Sequence, residues 1–282
     1  MLAIKAGMDV VALTTVAGNS NIKNTTKNAE YTLNLLGRND IPIYSGSEKP
    51  LERDLILAVV HGVSGLEWID PDTEWKMSND AVDQILSIIK NEDNITIITL
   101  WPLTNIARAI LQDPDTFSKV WELVIMGGAI RVPGNKNRVA EFNIFVDPEA
   151  ADLVFRFPVK KTIVPLDACN DIQMQLSDFQ KIKGNLQEPL LAMMKPYIQN
   201  IWDNEGTYAA LMYDPLTVYY ILNPEYCTTE ILDIFVETKW DLTRGMTVAD
   251  LRSKSDSINP INVVKSIRSE EFIRDFIIIL SR

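Results

Sequence analysis

The stretch ITIITLWPLTNIARAILQDPDTFSKVWELVIMGG (Ile95–Gly128) decides the fold class. It begins as a strand rich in β-branched residues, enters a helical pattern through Pro102, and ends in a second apolar strand. Two strands joined by a helical crossover are typical of a βαβ unit, in which the strands run parallel. The stretch therefore predicts an α/β protein built on a parallel sheet.

The same alternation continues on both sides of this unit. Strands are predicted near residues 10–16, 41–44, 95–100, 123–126, 161–165 and 231–236. Helices are predicted at residues 25–36, 81–90, 103–112 and 148–155. The pattern indicates an open, mostly parallel (doubly wound, Rossmann-like) sheet flanked by helices. We predict a single domain over residues 1–282, with a helical insertion or cap at about 177–211 in the C-terminal half.

The composition excludes several classes of partner. The net charge of −11 argues against nucleic acid and against an anionic membrane surface, because both need clustered Lys and Arg. The two cysteines, Cys169 and Cys227, lack metal-ligand spacing, and free thiols in a reducing compartment are expected. With no apolar run of membrane-spanning length and no recognisable signal peptide, we expect a cytoplasmic protein. The single histidine, His61, argues against a Ser-His-Asp triad.

Polar or glycine-rich segments follow several predicted strands. In a doubly wound sheet, ligands bind at the carboxyl ends of the strands, where TTVAGN, LWPLTNIA, VIMGGAI and VPLDA all fall. Asn19 ends the first segment and is either a turn residue or an amide at this edge. Thr104 is either a helix cap or a residue whose backbone carbonyl binds a hard cation. Met126 is either core or a pocket wall.

The segment GNKNRVAEFN (Gly134–Asn143) carries three short polar side chains, those of Asn135, Glu141 and Asn143. A sugar presents several hydroxyl groups, and carboxylates and amides supply the acceptors and donors that these need. The alternative is a solvated loop. The neighbouring AEFNIF is apolar, which predicts a buried Glu141 that must find hydrogen-bond partners.

The segment YDPLTVYYIL (Tyr213–Leu222) places Asp214 before Pro215 and an apolar helix. An Asp at the N-cap followed by Pro at the first helical position is a sufficient structural explanation. A ligand-binding carboxylate is the alternative.

Together these segments resemble the inosine-uridine preferring nucleoside hydrolase family. The matching pieces occur in the family's order over nearly the whole chain: TTVAGN, NAEYTLNLLGRNDIPIYSG, HGVSGL, PLTNIA, VIMGGA, AEFNIFVDPEAA, VPLDA, YDPL and LTRGMTVAD. The resemblance implies hydrolysis of the N-glycosidic bond of purine and/or pyrimidine ribonucleosides to ribose and free base. It also implies a Ca²⁺-bound water as nucleophile, a role in nucleoside salvage, and a homodimer or homotetramer.

The resemblance also implies roles for individual residues. Ca²⁺ would be bound by the carboxylate of Asp214, which also binds the sugar, and by the backbone carbonyl of Thr104. The ribose hydroxyls would be bound by Asn135, Glu141 and Asn143. Asn19 and Met126 would line the sugar site. Tyr213 stands where many members have a His that protonates the leaving base, and is the candidate for that contact.

One part of the family pattern is not found in this sequence. The family has an Asp-rich loop of the form DxDxGxDDA immediately before the segment that matches LAIKAG. In the family this loop supplies most calcium ligands and the general base. Here LAIKAG directly follows Met1, and no DxDxxxDD pattern occurs in the 282 residues. The alternative to an active hydrolase is therefore a catalytically impaired ribose- or nucleoside-binding protein of the same fold.

Overall fold

The computed structural model of the chain describes residues 1–58, 65–66, 80–252 and 258–282. His61 lies outside these ranges. The strands are β1 (Leu13–Thr15), β2 (Ile43–Ser45), β3 (Thr96–Thr99), β4 (Glu122–Met126), β5 (Lys161–Val164), β6 (Gln173–Met174), β7 (Ala210–Leu211), β8 (Cys227–Val236), β9 (Thr247–Ala249) and β10 (Pro260–Ile267). The helices are α1 (Leu2–Lys5), α2 (Ile22–Leu35), α3 (Ala81–Asn91), α4 (Thr104–Gln112), α5 (Pro114–Phe117), α6 (Phe142–Val146), α7 (Pro148–Arg156), α8 (Leu166–Cys169), α9 (Leu176–Phe179), α10 (Gln187–Glu205), α11 (Tyr213–Leu222) and α12 (Ser269–Leu280), with a 3₁₀ turn at Pro224–Tyr226.

The main sheet has six strands in the order β3-β4-β5-β10-β8-β9. Its first four strands run parallel, and β8 and β9 are antiparallel to their neighbours. Helices cover this sheet on both faces, as the two apolar clusters below indicate. The predicted class, a mostly parallel sheet flanked by helices, is confirmed.

The βαβ unit predicted for Ile95–Gly128 forms β3, α4 and β4. All five residues of β4 are buried, which explains its continuous apolar run, because a central parallel strand is covered on both faces. Helix α4 buries one side and packs against α7. The side chain of Asp113 then caps the short helix α5 by accepting from the backbone N–H of Thr116 at 3.0 Å.

Strands β1 and β2 form a separate two-stranded parallel sheet, with Thr14 opposite Tyr44. The sequence predicts one sheet, so this is a correction. The side chain of Asn105 connects this small sheet to helix α4. Its Nδ2 donates to the backbone oxygen of Thr15 at 2.8 Å, and its Oδ1 accepts from the N–H of Ser47 at 2.9 Å.

The C-terminal half contains the predicted helical stretch and also several elements that the sequence analysis does not predict, of which β10 and α12 are the longest. Helices α9 and α10 occupy most of residues 177–211, between the strands β6 and β7, which pair with each other. Strand β10 and helix α12 were not predicted. Strand β10 lies centrally in the main sheet, between β5 and β8.

Two large apolar clusters lie on opposite sides of the main sheet. One contains Val164 of β5 with residues of α8 to α12, and the other contains Ile163 of the same strand with residues of α3, α4 and α7. Successive strand residues point to opposite faces, so β5 contributes to both clusters. Both cysteines are free thiols. In the described part of the chain, no helix combines the length and apolarity that crossing a membrane requires.

Candidate active site

The candidate site lies where strands β3 and β4 end. Leu100 follows β3 and Met126 ends β4. Leu100 and Tyr213, at the start of α11, both pack against the small apolar cluster that contains Met126. Helix α6, which carries Asn143, lies against the same strand ends through that side chain. The position agrees with the expectation that ligands bind at the carboxyl edge of a parallel sheet.

Glu141 is the N-cap of helix α6 and is only 2% exposed. Its carboxylate accepts from the backbone N–H groups of Asn143 at 2.9 Å, Ile144 at 3.2 Å and Gly128 at 3.2 Å. The predicted burial and the need for partners are therefore both confirmed. The capping carboxylate of Glu141 starts the short helix α6, so Asn143 lies in the first turn of a helix.

The two glycines after β4 bring the backbone close to Glu141. Gly127 has φ +156°, and a Cβ at this position would lie 3.2 Å from Oε2 of Glu141. Gly128 has φ +92°, in the left-handed region that favours glycine, and its N–H points at the same oxygen. Because glycine has no Cβ, the backbone at these two positions can approach a neighbouring group closely. The group that they approach here is the carboxylate of Glu141.

Asn143 is 6% exposed and joins the two strand ends. Its Nδ2 donates to the backbone oxygens of Leu100 at 3.2 Å and Met126 at 3.3 Å, and contacts Sδ of Met126 at 3.2 Å. Within the described ranges, Oδ1 of Asn143 has no hydrogen bond of its own. An amide fixed through its donor end in this way presents its oxygen as an acceptor for a ligand hydroxyl.

Asp214 lies in the first turn of α11, beside Tyr213. Its side chain is half-buried, and among the described residues no hydrogen bond to its carboxylate is found. Tyr213 packs against the Met126 and Leu166 cluster. Asp214 is thus a carboxylate enclosed by protein that remains open to a ligand.

Burial sets the electrostatics of both acids. It raises the pKa of Glu141 to about 7, although the backbone N–H groups around this carboxylate act in the opposite direction. Burial also raises the pKa of Asp214 to about 7, and the nearby negative charge of Glu141 adds to that rise. The two acids therefore share one site and titrate near neutral pH.

Three predicted site residues occupy other environments. Asn135 is exposed, and its Oδ1 accepts from the N–H of Phe142 at 2.9 Å. Thr104 begins α4, so its backbone carbonyl is directed along the helix, as carbonyls in an α-helix are. Asn19 is half-buried in the loop after β1, where a Cβ on its neighbour Gly18 would lie 3.1 Å from Cδ of Pro102. That loop therefore lies beside the turn after β3.

Two contributors to the site were missed from the sequence. The carbonyl that meets Asn143 after β3 belongs to Leu100, and a backbone atom leaves no signal in the side-chain pattern. The carboxylate of Asp147 connects α6, α7 and α4, whereas its local pattern, an Asp before Pro, indicates only a helix start. Neither role is visible without the tertiary contacts.

The residues described do not fit a calcium ion. No group of three or more His, Cys, Asp or Glu side chains that could hold a metal occurs in the described ranges. Asp214 is open, whereas the Glu141 carboxylate is occupied by three N–H groups. Calcium takes about six to eight oxygen ligands. One open carboxylate with nearby carbonyls falls well short of that number.

Comparisons with known proteins identify the family of the chain. The chain is 37% identical over 251 residues to the pyrimidine-specific ribonucleoside hydrolase RihA of Escherichia coli (strain SMS-3-5), covering 86% of this chain and 80% of that protein. A plant nucleoside hydrolase, the PpNRh1 enzyme, superposes with a TM-score of 0.90 at 29% identity, covering 99% of this chain and 93% of the other. A purine-preferring ribonucleoside hydrolase from Gardnerella vaginalis gives 0.89 at 26% identity, covering 99% and 94%. Because the model of one family also matches residues 1–274, the chain belongs to the inosine-uridine preferring nucleoside hydrolases.

Proposed function

We propose that this protein binds ribonucleosides at the edge formed by β3, β4 and α11 and hydrolyses their N-glycosidic bond to ribose and free base. The observation that carries the proposal is the pair of acids, buried Glu141 and half-buried Asp214, whose charges act on each other, with the fixed amide of Asn143 beside Glu141. As the bond to the base breaks, the sugar ring gains positive charge, which nearby carboxylates stabilise in a site with little water.

Each residue has a definite task in this proposal. The open carboxylate of Asp214 and the free oxygen of Asn143 accept hydrogen bonds from ribose hydroxyls. Glu141 keeps α6 in place through its backbone contacts and adds negative charge below the ring. Met126 forms the apolar wall, and Tyr213 is the side chain proposed to contact the leaving base. Asn19 and Asn135 lie on the surrounding loops.

Aromatic residues near the end of α10 are further candidates for contact with the base. Trp202 and Tyr208 are about half exposed and meet edge to face, with ring centroids 6.2 Å apart. A third candidate, Trp240, lies between β8 and β9 and is 70% exposed. The relatives named above include a pyrimidine-specific and a purine-preferring enzyme, so the base preference needs a panel of both classes.

A second candidate function is supported by the incomplete set of calcium donors. In that case the protein binds ribose or nucleosides without cleaving them. The sugar contacts of Asn143 and Asp214 would be retained, and the activation of water would be absent. Nucleoside salvage, a cytoplasmic location and assembly as a homodimer or homotetramer belong to the proposal of an active hydrolase.

The deciding experiment measures ribose release from inosine, guanosine, uridine and cytidine by the purified chain. Asp214→Asn and Asn143→Ala are the test variants. Thr162→Val is the control, because Thr162 lies within β5 and its hydroxyl bonds to Glu122 at the start of β4, away from the strand ends that form the site. We expect release by the wild type, a loss of at least about a hundredfold in both test variants, and no change in the control. Nucleoside binding by calorimetry without release supports the second candidate. Neither binding nor release by a folded wild type would falsify both.

A further inference from the structure

The two carboxylate oxygens of Asp147 have different partners. Asp147 stands between α6 and α7 and is completely buried. Oδ1 accepts from the N–H of Ala150 at 3.1 Å, which caps α7. Oδ2 accepts from the hydroxyl Oγ1 of Thr104 at 2.6 Å and from the N–H of Leu51 at 2.9 Å.

The cap explains only one of these oxygens. An Asp before Pro commonly caps a helix, and that function is complete once Oδ1 has bonded to Ala150. The bonds of Oδ2 reach segments that lie 43 and 96 residues away in the sequence. Hydrogen bonds to a buried charged group are among the stronger ones, so these two bonds hold the three segments together.

The joined segments carry the parts of the candidate site. Thr104 is the first residue of α4 and directly follows the turn that begins with Leu100. Helix α6 contains Asn143 and lies between its N-cap Glu141 and its C-cap Asp147. The same two segments also meet through Nδ2 of Asn143 and the Leu100 carbonyl, 3.2 Å apart. The turn and the helix are therefore tied at two points.

We propose that Asp147 is a positioning residue: through Oδ2 it fixes helix α6 to the turn after β3, and so sets where Glu141 and Asn143 meet the sugar. The consequence for catalysis rests on the proposed function. The structural role, in which the Thr104 hydroxyl holds α6 through Asp147, is independent of that function. A misplacement of the gripping side chains by an ångström is enough to slow a reaction markedly.

The test removes the Thr104 hydroxyl and leaves the carboxylate and both caps intact. Thr104→Val is the test variant, and Thr104→Ser restores the hydroxyl. Thr162→Val is the matched control, because Thr162 is also completely buried and its hydroxyl also donates to a carboxylate, that of Glu122 at 2.7 Å. Hydrogen exchange at residues 142–146, unfolding in urea, and kcat and KM on the best nucleoside of the panel are measured for all of them.

We expect Thr104→Val to speed amide exchange in α6 about tenfold and to lower kcat about tenfold, whereas Thr104→Ser stays within about twofold of wild type. Thr162→Val should lose similar stability without either effect. Equal exchange in α6 for the two valine variants overturns the inference, since the bond then has only a general structural role. If the wild type cleaves no nucleoside, the proposed function fails, and exchange in α6 alone decides the role of Asp147.

Discussion

At the scale of single residues, the site depends on two acids in unlike surroundings. Glu141 has its hydrogen bonds satisfied by backbone N–H groups, whereas the Asp214 carboxylate is open. Burial raises the pKa of both acids to about 7. For an acid that must act as a carboxylate on a sugar, this sets the lower limit of its useful pH range.

The raised pKa of Asp214 has a consequence for stability. The pKa is 3.8 in the unfolded chain and about 7 in the fold, so the folded state binds more protons between these values. The contribution of Asp214 to the free energy of unfolding is thus fully present below pH 3.8 and is lost as the pH rises through about 7. An Asn side chain does not titrate. The free energy of unfolding of Asp214→Asn should therefore rise, relative to that of wild type, by about 2 kcal/mol between pH 4 and 8.

Urea unfolding of both proteins at several pH values checks this. Asp152→Asn is a suitable control, because Asp152 forms an exposed i,i+4 ion pair with Arg156. The difference in free energy of unfolding between this variant and wild type should not grow between pH 4 and 8. A constant difference for Asp214→Asn would show that the carboxylate is solvated in the fold.

The donor set of the site leads to an expectation for calcium. Asp214 is the one open carboxylate among the described site residues, and a single carboxylate gives little affinity for a cation that takes about six to eight oxygens. We expect calcium chloride at millimolar concentration to leave the thermal midpoint within about 1 °C of the value in chelator. A rise of several degrees that is absent in Asp214→Asn would contradict the assessment of the site.

At the scale of elements, helix α6 is a short helix that depends on its neighbours. Its five residues are too few to be stable alone, so contacts at both ends and along its length must hold it. Glu141 caps the start, Asp147 ties the end, and Gly245 packs against Phe145 in the middle. The guanidinium of Arg244 also stacks over the Phe145 ring, 4.0 Å from its centroid.

Gly245 gives a test of that packing. Gly245 has φ +77°, and a Cβ there would lie 2.8 Å from Cα of Phe145. Gly184 has φ +85° with nothing within 4 Å of its Cβ position, so Gly184→Ala carries the backbone strain without the clash. We expect Gly245→Ala to lower the free energy of unfolding by about 2 kcal/mol more than Gly184→Ala does. If urea unfolding gives the same loss of free energy for both alanine variants, α6 shifts to accommodate the new Cβ at little cost.

At the scale of the whole molecule, the small sheet β1–β2 is attached to the six-stranded sheet partly through one side chain. Asn105 is 5% exposed, and it bonds to the backbone at the end of β1 and just after β2. A Cβ on Gly46 would lie 2.4 Å from this amide, so the backbone there passes directly over it. The position of Asn19 relative to the other site residues therefore depends on this contact.

Replacing Asn105 by Ala should loosen the small sheet more than the large one. Two backbone groups lose their partner in a buried place, which costs about 2–3 kcal/mol. We expect faster hydrogen exchange at residues 13–15 and 43–45, with little change at residues 122–126. Asn262→Ala is the control, since its amide donates to the hydroxyls of Thr162 on β5 and Tyr220 on α11, away from the small sheet. Uniformly faster exchange in both sheets would show that they unfold as one unit.

The sequence by itself determined the fold class, the family, and the residue types that gather at the carboxyl edge of the sheet. Strand and helix periodicity is a local property, so the strand-helix-strand pattern of Ile95–Gly128 can be recognised from that stretch alone. The resemblance rested on an ordered set of short motifs, which likewise needs no coordinates. The burial of Glu141 followed from its apolar neighbours, and the structure confirms it.

Only the tertiary structure decided how these parts meet. The pairing of strands is a long-range property, so neither the separation of β1–β2 from the main sheet nor the central place of β10 was visible in local patterns. The helix at Phe142–Val146 forms because a side chain caps it, although its residues also suit a strand. The Leu100 carbonyl and the second oxygen of Asp147 acquire their roles through partners 43 residues or more away, and no local pattern records such a bond.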